Sequence, residues 1–316
     1  MTAPLLASID IGSNSILLLI GRIFQGRLQV ELQRKETIRL GGALDAQGQL
    51  QTQAMERGLD CLRRYAALLE HIPPQHRRAV ATQTLREARN RNDFLQQASA
   101  ILQCNVQLIS GEQEARLIYQ GVSGLLPRNG ERRLIIDIGG RSTEICLGRD
   151  LQLQTAISCP LGSIAWAQRF FGNGSLQADV FAQAEHIARS IFQSQLQDIQ
   201  GQHRDTVYGS SGTAGAISKV LHQLGEGAGT ISRTALQQLR AQMIAAGHCD
   251  RIHMAGLREE LRPVIGGGIS IMCAIFDVLH LEHMRIAQGA LRHGVLLEMH
   301  HDLTSPGSPA RHSERQ

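Results

Sequence analysis

Ile9-Asp10-Ile11-Gly12-Ser13-Asn14-Ser15 and, in mid-chain, Ile136-Asp137-Ile138-Gly139-Gly140-Arg141-Ser142-Thr143 are two versions of one phrase. In each, an apolar run ends in Asp and a turn of small residues. A second apolar run follows, Ile16 to Ile23 in one copy and Glu144 to Leu147 in the other. That pattern predicts strand, tight turn, strand. Glycine in such a turn lets backbone N–H groups approach an anionic oxygen, and the Asp at its mouth can hold a metal ion directly or through water. Two such hairpins facing one another would grip a phosphate chain from both sides.

The flanking sequence repeats as well. The first half reads as strands Leu5 to Ile11, Ile16 to Phe24 and Leu28 to Thr37, a Gly41-Gly42 loop, and an amphipathic helix from Gln53 to Leu69 closed by Pro73-Pro74. A short strand, Ala79 to Thr82, precedes helical segments to Leu102, a strand Val106 to Ile109 and a helix Gly111 to Val122. Pro127-Arg128-Asn129-Gly130 reads as a linker. The second half offers strands Leu134 to Ile138, Glu144 to Leu147 and Leu151 to Ser158, helices to Leu196, a strand Thr206 to Tyr208 and a helix after Gly212. Three strands followed by alternating helix and strand, used twice, predict a duplicated mixed-sheet α/β fold. This is the actin-like, ribonuclease H-like plan of actin, sugar kinases and heat-shock ATPases, with the active site in the interdomain cleft. The expected divisions are 1–127, 128–300 and a disordered tail, 301–316.

The chain has 316 residues, 42% of them hydrophobic, which is ample for two medium domains. Runs such as Ile16 to Ile20 are far shorter than the ~20 residues a membrane span needs, and the N-terminus lacks signal-peptide character. A cytoplasmic protein is expected. Six cysteines are scattered without a C-x-x-C pair, which argues against a zinc knuckle or a disulfide framework. Net charge is +4, carried almost wholly by Arg, with Lys35 and Lys219 the exceptions. Arginine suits phosphate through its planar fork. With only 3% aromatic residues and no basic and aromatic interleaving, sequence-specific nucleic-acid binding is not expected.

Five blocks in order give the chain a specific resemblance: Ile9 to Ser15, Ala81 to Asn90, Ile109 to Tyr119, Asp137 to Glu144, and Gly209-Ser210-Ser211-Gly212-Thr213. A weaker block, Gly289 to Val295, follows. The chain resembles the Ppx/GppA family of exopolyphosphatases and guanosine pentaphosphate phosphohydrolases. The resemblance implies that Glu114 is the catalytic base for the attacking water, that Asp10, Asp137 and Glu144 hold Mg²⁺, and that Asp137 and Glu144 belong with the catalytic set. Read locally, Ser110-Gly111-Glu112-Gln113 is a capping box, which leaves Glu114 free for another task.

The expected phosphate contacts are Ser13 and Asn14 in the first turn, Gly139, Gly140 and Ser142 in the second, and Gly209, Ser211 and Gly212 where a strand runs into a helix. Arg86 would add a charged fork. Arg141 stands where the family usually has a third glycine. An arginine there holds phosphate directly, turns outward to solvent, or narrows the loop and alters substrate choice; it is counted here with the phosphate donors. Pro263 lies close to a position where an acidic residue is common in the family.

The implied activity is Mg²⁺-dependent release of terminal orthophosphate from inorganic polyphosphate, with guanosine pentaphosphate as a further substrate. A short two-domain form is expected, without the extra C-terminal domains with which longer relatives tend to grip long polymers, and shorter substrates are expected to suit it. A homodimer is compatible with the sequence, although no interface pattern marks one. The competing readings are a sugar or acetate kinase of the same superfamily and a nucleotide-binding actin-like protein without turnover.

Overall fold

The computed structural model describes residues 3–304. In the first half, β1 (Leu6–Ile11), β2 (Ser15–Phe24) and β3 (Arg27–Thr37) form an antiparallel meander. Gln25 and Gly26, both at positive φ (51° and 74°), make the two-residue loop between β2 and β3. Such a primed turn matches the right-handed strand twist. Helix α1 (Thr52–Leu68) precedes β4 (Arg77–Ala81), which adds in parallel to β1. A single helical turn, α2 (Gln83–Glu87), and helix α3 (Arg91–Leu102) lead to β5 (Val106–Leu108) and helix α4 (Gly111–Ser123). The sheet order is β3-β2-β1-β4-β5.

The second half repeats it. Strands β6 (Arg132–Ile138), β7 (Thr143–Arg149) and β8 (Gln152–Cys159) form the meander, and helices α5 (Ser163–Phe170) and α6 (Ala178–Gln195) follow. Next come β9 (Thr206–Ser210), parallel to β6, and α7 (Gly212–Gln223). The last elements are β10 (Thr230–Ser232), α8 (Arg233–Ala246), α9 (Arg262–Val278), β11 (His283–Ile286) and α10 (Leu291–Thr304). The order β10-β11-β9-β6-β7-β8 matches the first sheet strand for strand, with β10 as an added edge. Two sheets of this order in one chain are the duplicated actin-like α/β fold.

Strands β10 and β11 and helices α8, α9 and α10 lie outside the elements read from sequence. The strands are too short for alternation to register. Pro263 opens α9 at its first turn, where a missing N–H costs nothing. The run Glu259–Val278 is long and apolar enough to cross a membrane by length and composition, but it packs against α5, α6 and α8 in the second core.

The expected tail requires correction at its start. Helix α10 continues through Thr304, and Asp302 pairs with Arg78 of β4 at 2.8 Å. The rest of the expected tail, 305–316, lies outside the described residues. Helix α10 also packs mainly on the other half rather than on the one that precedes it. It lies on β1, β2 and β4 and on α4, tied by Arg78 and Arg116 to Glu298 at 3.1 and 2.7 Å. Conversely α4, from the first half, packs on β7 and β8 of the second sheet. The two helices cross with backbones touching. A Cβ at Gly294 would stand 1.8 Å from the Leu117 carbonyl oxygen, and one at Gly121 would stand 2.2 Å from that of Ala290. Around the crossing, Val80 of the first sheet and Ile135, Cys146 and Tyr208 of the second share one apolar cluster with Ile118 and Val295.

Candidate functional site

The internal echo extends to single hydrogen bonds. In the first turn Gly12 N–H donates to the Ser15 carbonyl at 3.1 Å, and in the second Gly139 N–H donates to that of Ser142 at 2.9 Å. A Cβ at either glycine would stand 3.1 Å from that same carbonyl oxygen, so both turns tighten around a missing side chain. The turns lie face to face. A Cβ on Gly140 would come within 2.9 Å of Ser13 Cβ. The third expected element is also in place: Ser211 caps α7, its Oγ accepting from Ala214 N–H at 3.2 Å.

Between the halves these elements line a cleft of ≈ 330 Å³. Of the residues expected from sequence, Asp10, Ser13, Asn14, Glu114, Asp137, Gly139, Gly140, Ser142, Ser211 and Gly212 line it. Glu114 is delivered by the capping box. Ser110 Oγ accepts from Gln113 N–H at 3.1 Å, and Gln113 Oε1 accepts from Ser110 N–H at 2.9 Å. Glu114 follows as the buried acid of the first turn, while its neighbour Glu112 is exposed.

Four expected residues do not line the cleft. Arg86 spends its guanidinium on Glu114 Oε2 (2.9 Å), the Ile109 carbonyl (2.8 Å) and Gln83 Oε1 (2.9 Å from Nε). Arg141 donates from Nε to Glu87 Oε2 and from Nη1 to the Gly41 carbonyl, both at 2.8 Å. It reaches the opposite domain, and only 17% of its side chain is exposed. Gly209 is a strand residue whose missing side chain makes room for Met284, since a Cβ would meet its Sδ at 2.6 Å. Glu144 is opposite Asp137 in the β6–β7 register and buried, accepting from Ser158 Oγ at 2.8 Å.

Lys35, Arg258 and Arg292 also line the cleft and were not among the expected site residues. Arg292 lay within the weak Gly289 to Val295 block; Lys35, on an exposed stretch of β3, and Arg258, in a loop, gave no periodic signal. With the Gln33 amide in its hydrogen-bonding orientation, its oxygen accepts from Arg292 Nε and Nη2 at 3.3 and 2.7 Å.

The carboxylates are crowded and dry. Burial raises Asp10 to about 7, with Asp137 adding to the effect and Arg292 opposing it. Burial likewise raises Glu114 to about 7 against the opposing charge and hydrogen bond of Arg86, and Asp137 to about 6 against the Ser210 hydroxyl and Arg292. Glu144 is pushed well up by burial and then by Glu114 and Asp137. Across the cleft, desolvation lowers Lys35 and Arg292, and for Lys35 the nearby Arg258 and Arg292 add to it. Hard, negatively charged oxygens gathered out of water fit a divalent cation. The Ser15 hydroxyl, buried and without a hydrogen-bond partner among the described residues, fits a polar ligand between the turns.

The profile of the Ppx/GppA phosphatase family matches residues 19–303. A guanosine-5'-triphosphate,3'-diphosphate pyrophosphatase from Aeromonas salmonicida is 39% identical over 303 residues, covering 95% of this chain and 61% of its own length. The chain thus spans about three-fifths of that curated relative. Among solved structures, an Aquifex aeolicus PPX-GPPA enzyme superposes with a TM-score of 0.77 at 24% identity, over 94% of this chain and 100% of that one. An exopolyphosphatase from Cytophaga hutchinsonii superposes at 0.81 and 23% identity, over 96% and 100%. These likenesses carry the fold; together with the family profile and the curated relative, they place the chain in the Ppx/GppA phosphatase family.

Proposed function

We propose that this protein is a Mg²⁺-dependent phosphoanhydride hydrolase that removes the terminal phosphate of inorganic polyphosphate, releasing orthophosphate, and acts likewise on the 5' end of guanosine pentaphosphate. The observation that carries the reading is Glu114, a buried carboxylate lining the cleft between two facing glycine turns. Its proton affinity near neutrality suits a general base. The name of the Aeromonas relative supports the guanosine nucleotide as a substrate. The apolar α9 is packed in the second core, which keeps a cytoplasmic location as part of the proposal.

In the proposed reaction, water gives a proton to Glu114 as its oxygen bonds to the terminal phosphorus. The bridging P–O bond breaks, orthophosphate leaves, and the shortened chain keeps the bridging oxygen. The N–H groups of the two turns other than those of Gly12 and Gly139, and those of the α7 N-terminus, hold the oxygens of the reacting phosphate. Lys35, Arg258 and Arg292 take the charge of the remaining chain. A Mg²⁺ ion held by Asp10 and Asp137, with Glu144 beside them, would supply charge neutralisation on the phosphate oxygens. Arg141 is directed to Glu87 and favours no rival reading.

The test is orthophosphate release from polyphosphate of graded length, and from guanosine pentaphosphate, with MgCl₂. Glu114→Gln is expected to lower turnover by roughly 10²–10⁴-fold. Undiminished release in that variant would remove the mechanism.

A further inference from the structure

The side chain that departs from the expected glycine turn ends on a continuous hydrogen-bonded path to Glu114. Arg141 Nε donates to Glu87 Oε2 at 2.8 Å, and Gln83 Nε2 donates to the other oxygen of that carboxylate at 2.6 Å. Gln83 Oε1 accepts from Arg86 Nη2 at 2.6 Å, and Arg86 Nη1 donates to Glu114 at 2.9 Å. Gln83, Arg86 and Glu87 all belong to α2, a helix of five residues. In the other direction Arg141 Nη1 donates to the Gly41 carbonyl, and Gly41 N–H donates to the Ser13 carbonyl at 2.7 Å. One guanidinium from the second domain therefore joins its own turn, the first turn and the helix that carries the Glu114 partner.

We propose that Arg141 and Glu87 are positioning residues: their ion pair clasps the two glycine turns together and, through Gln83 and Arg86, fixes the Glu114 carboxylate, so that closing the cleft and aiming the water are one event. The part concerning Glu114 rests on the hydrolase reading above. The pair is well placed for this. Only 17% of the Arg141 side chain and 33% of the Glu87 side chain is exposed, so salt and water screen the contact less than they would a surface pair. Arginine is required because both acceptors are met by one planar fork; a lysine ammonium would meet one of them in a fixed geometry. The same turn supports the clasp from the first domain's side, where Gln168 Nε2 donates to the Gly42 carbonyl at 3.3 Å.

The experiment is a double-mutant cycle on the full chain with Arg141→Gln and Glu87→Gln, supplemented by Arg141→Lys. Orthophosphate release is followed under saturating and limiting polyphosphate with MgCl₂. Each glutamine variant is expected to lose about tenfold in kcat with a smaller change in KM, the double variant is expected to lose no more than the worse single one, and Arg141→Lys is expected to fall between. Multiplicative losses in the double variant, or an unchanged kcat in the singles, would overturn the proposal. Amide hydrogen exchange separates this result from the fate of the hydrolase reading. In Arg141→Gln, exchange over residues 39–43 and 83–87 is expected to quicken while β1 and β6 stay protected. Unchanged exchange there rejects the clasp even if the wild type releases orthophosphate. If the wild type releases none, only the hydrolase reading falls, and the exchange result decides the clasp.

Discussion

Ser211 holds φ 110° and ψ 163°, a region in which side-chain-bearing residues are strained by roughly 1–3 kcal/mol. It keeps that conformation at the mouth of α7, where the chain turns from β9 into the cleft. Replacing it with glycine relieves the strain, while glycine at the helix cap costs only a few tenths of a kcal/mol, about a tenth of the larger figure. Ser211→Gly is therefore expected to raise the thermal midpoint, by an amount equivalent to about 1 kcal/mol, and to lower phosphate release through the lost hydroxyl. A fall in the midpoint would count against strain at this site.

The crowded carboxylates have a consequence for pH. Asp10, Glu114 and Asp137 hold their protons to about 7, 7 and 6 in the folded chain, against an ordinary carboxylate value near 4 when unfolded. Folding thus takes up protons between about pH 4 and 7. The stabilising contribution of these groups is complete below that window and is lost as pH rises through it. In EDTA, wild-type protein is expected to lose stability across this range more steeply than Asp10→Asn. The gain in thermal midpoint from MgCl₂ is expected to be larger at pH 8 than at pH 5; equal gains at the two values would refute the assignment. At this scale the sequence was legible where local chemistry is self-contained. The capping box left Glu114 free of helix-start duty, the resemblance alone gave it a role, and each Asp before a glycine turn was marked by its turn. Arg86 and Arg141 were legible only as arginines near phosphate turns, because their acceptors, Glu114 and Glu87, are brought to them by the fold.

Among the elements, the crossing of α4 and α10 tolerates least. At Gly294 a methyl group would meet backbone, 1.8 Å from the Leu117 oxygen. Gly294→Ala gains up to about 1 kcal/mol of helix propensity and is expected to lose more, about 1–3 kcal/mol net, by forcing the helices apart. Gly215→Ala in α7 is the counterpart, since nothing lies within 4 Å of its added Cβ. That substitution is expected to be neutral or stabilising by up to about 1 kcal/mol. Chemical denaturation of the two variants checks both, and similar shifts would show that the crossing is not close-packed. Sequence periodicity found the two meanders and α4 because their apolar faces repeat over many residues. Strands β10 and β11 span no more than two alternations, and α9 is buried on most sides, so none of them leaves a periodic stripe.

Across the whole molecule, duplication was readable because the same turn occurs twice, but the partnership of the helices was not. An amphipathic face declares that it will be covered and says nothing of which sheet will cover it. The apolar cluster around Ile118 and Val295 draws on both sheets, so the halves share a core in addition to a cleft. Arg133, fully buried in β6, reinforces the junction from the second side, donating to Glu131 at 2.8 Å and to the Pro127 carbonyl. Movement of one half against the other is therefore expected to pivot at the glycine crossing.

The exchange of α4 and α10 also determines what would happen if the polypeptide were severed in the exposed loop between Arg128 and Asn129. Each fragment would retain a helix built to cover its counterpart and would lack the one built to cover itself. The pieces are expected to be insoluble when expressed singly and to reassemble by complementation when made together, so that reporter proteins fused to them would light up only on reunion.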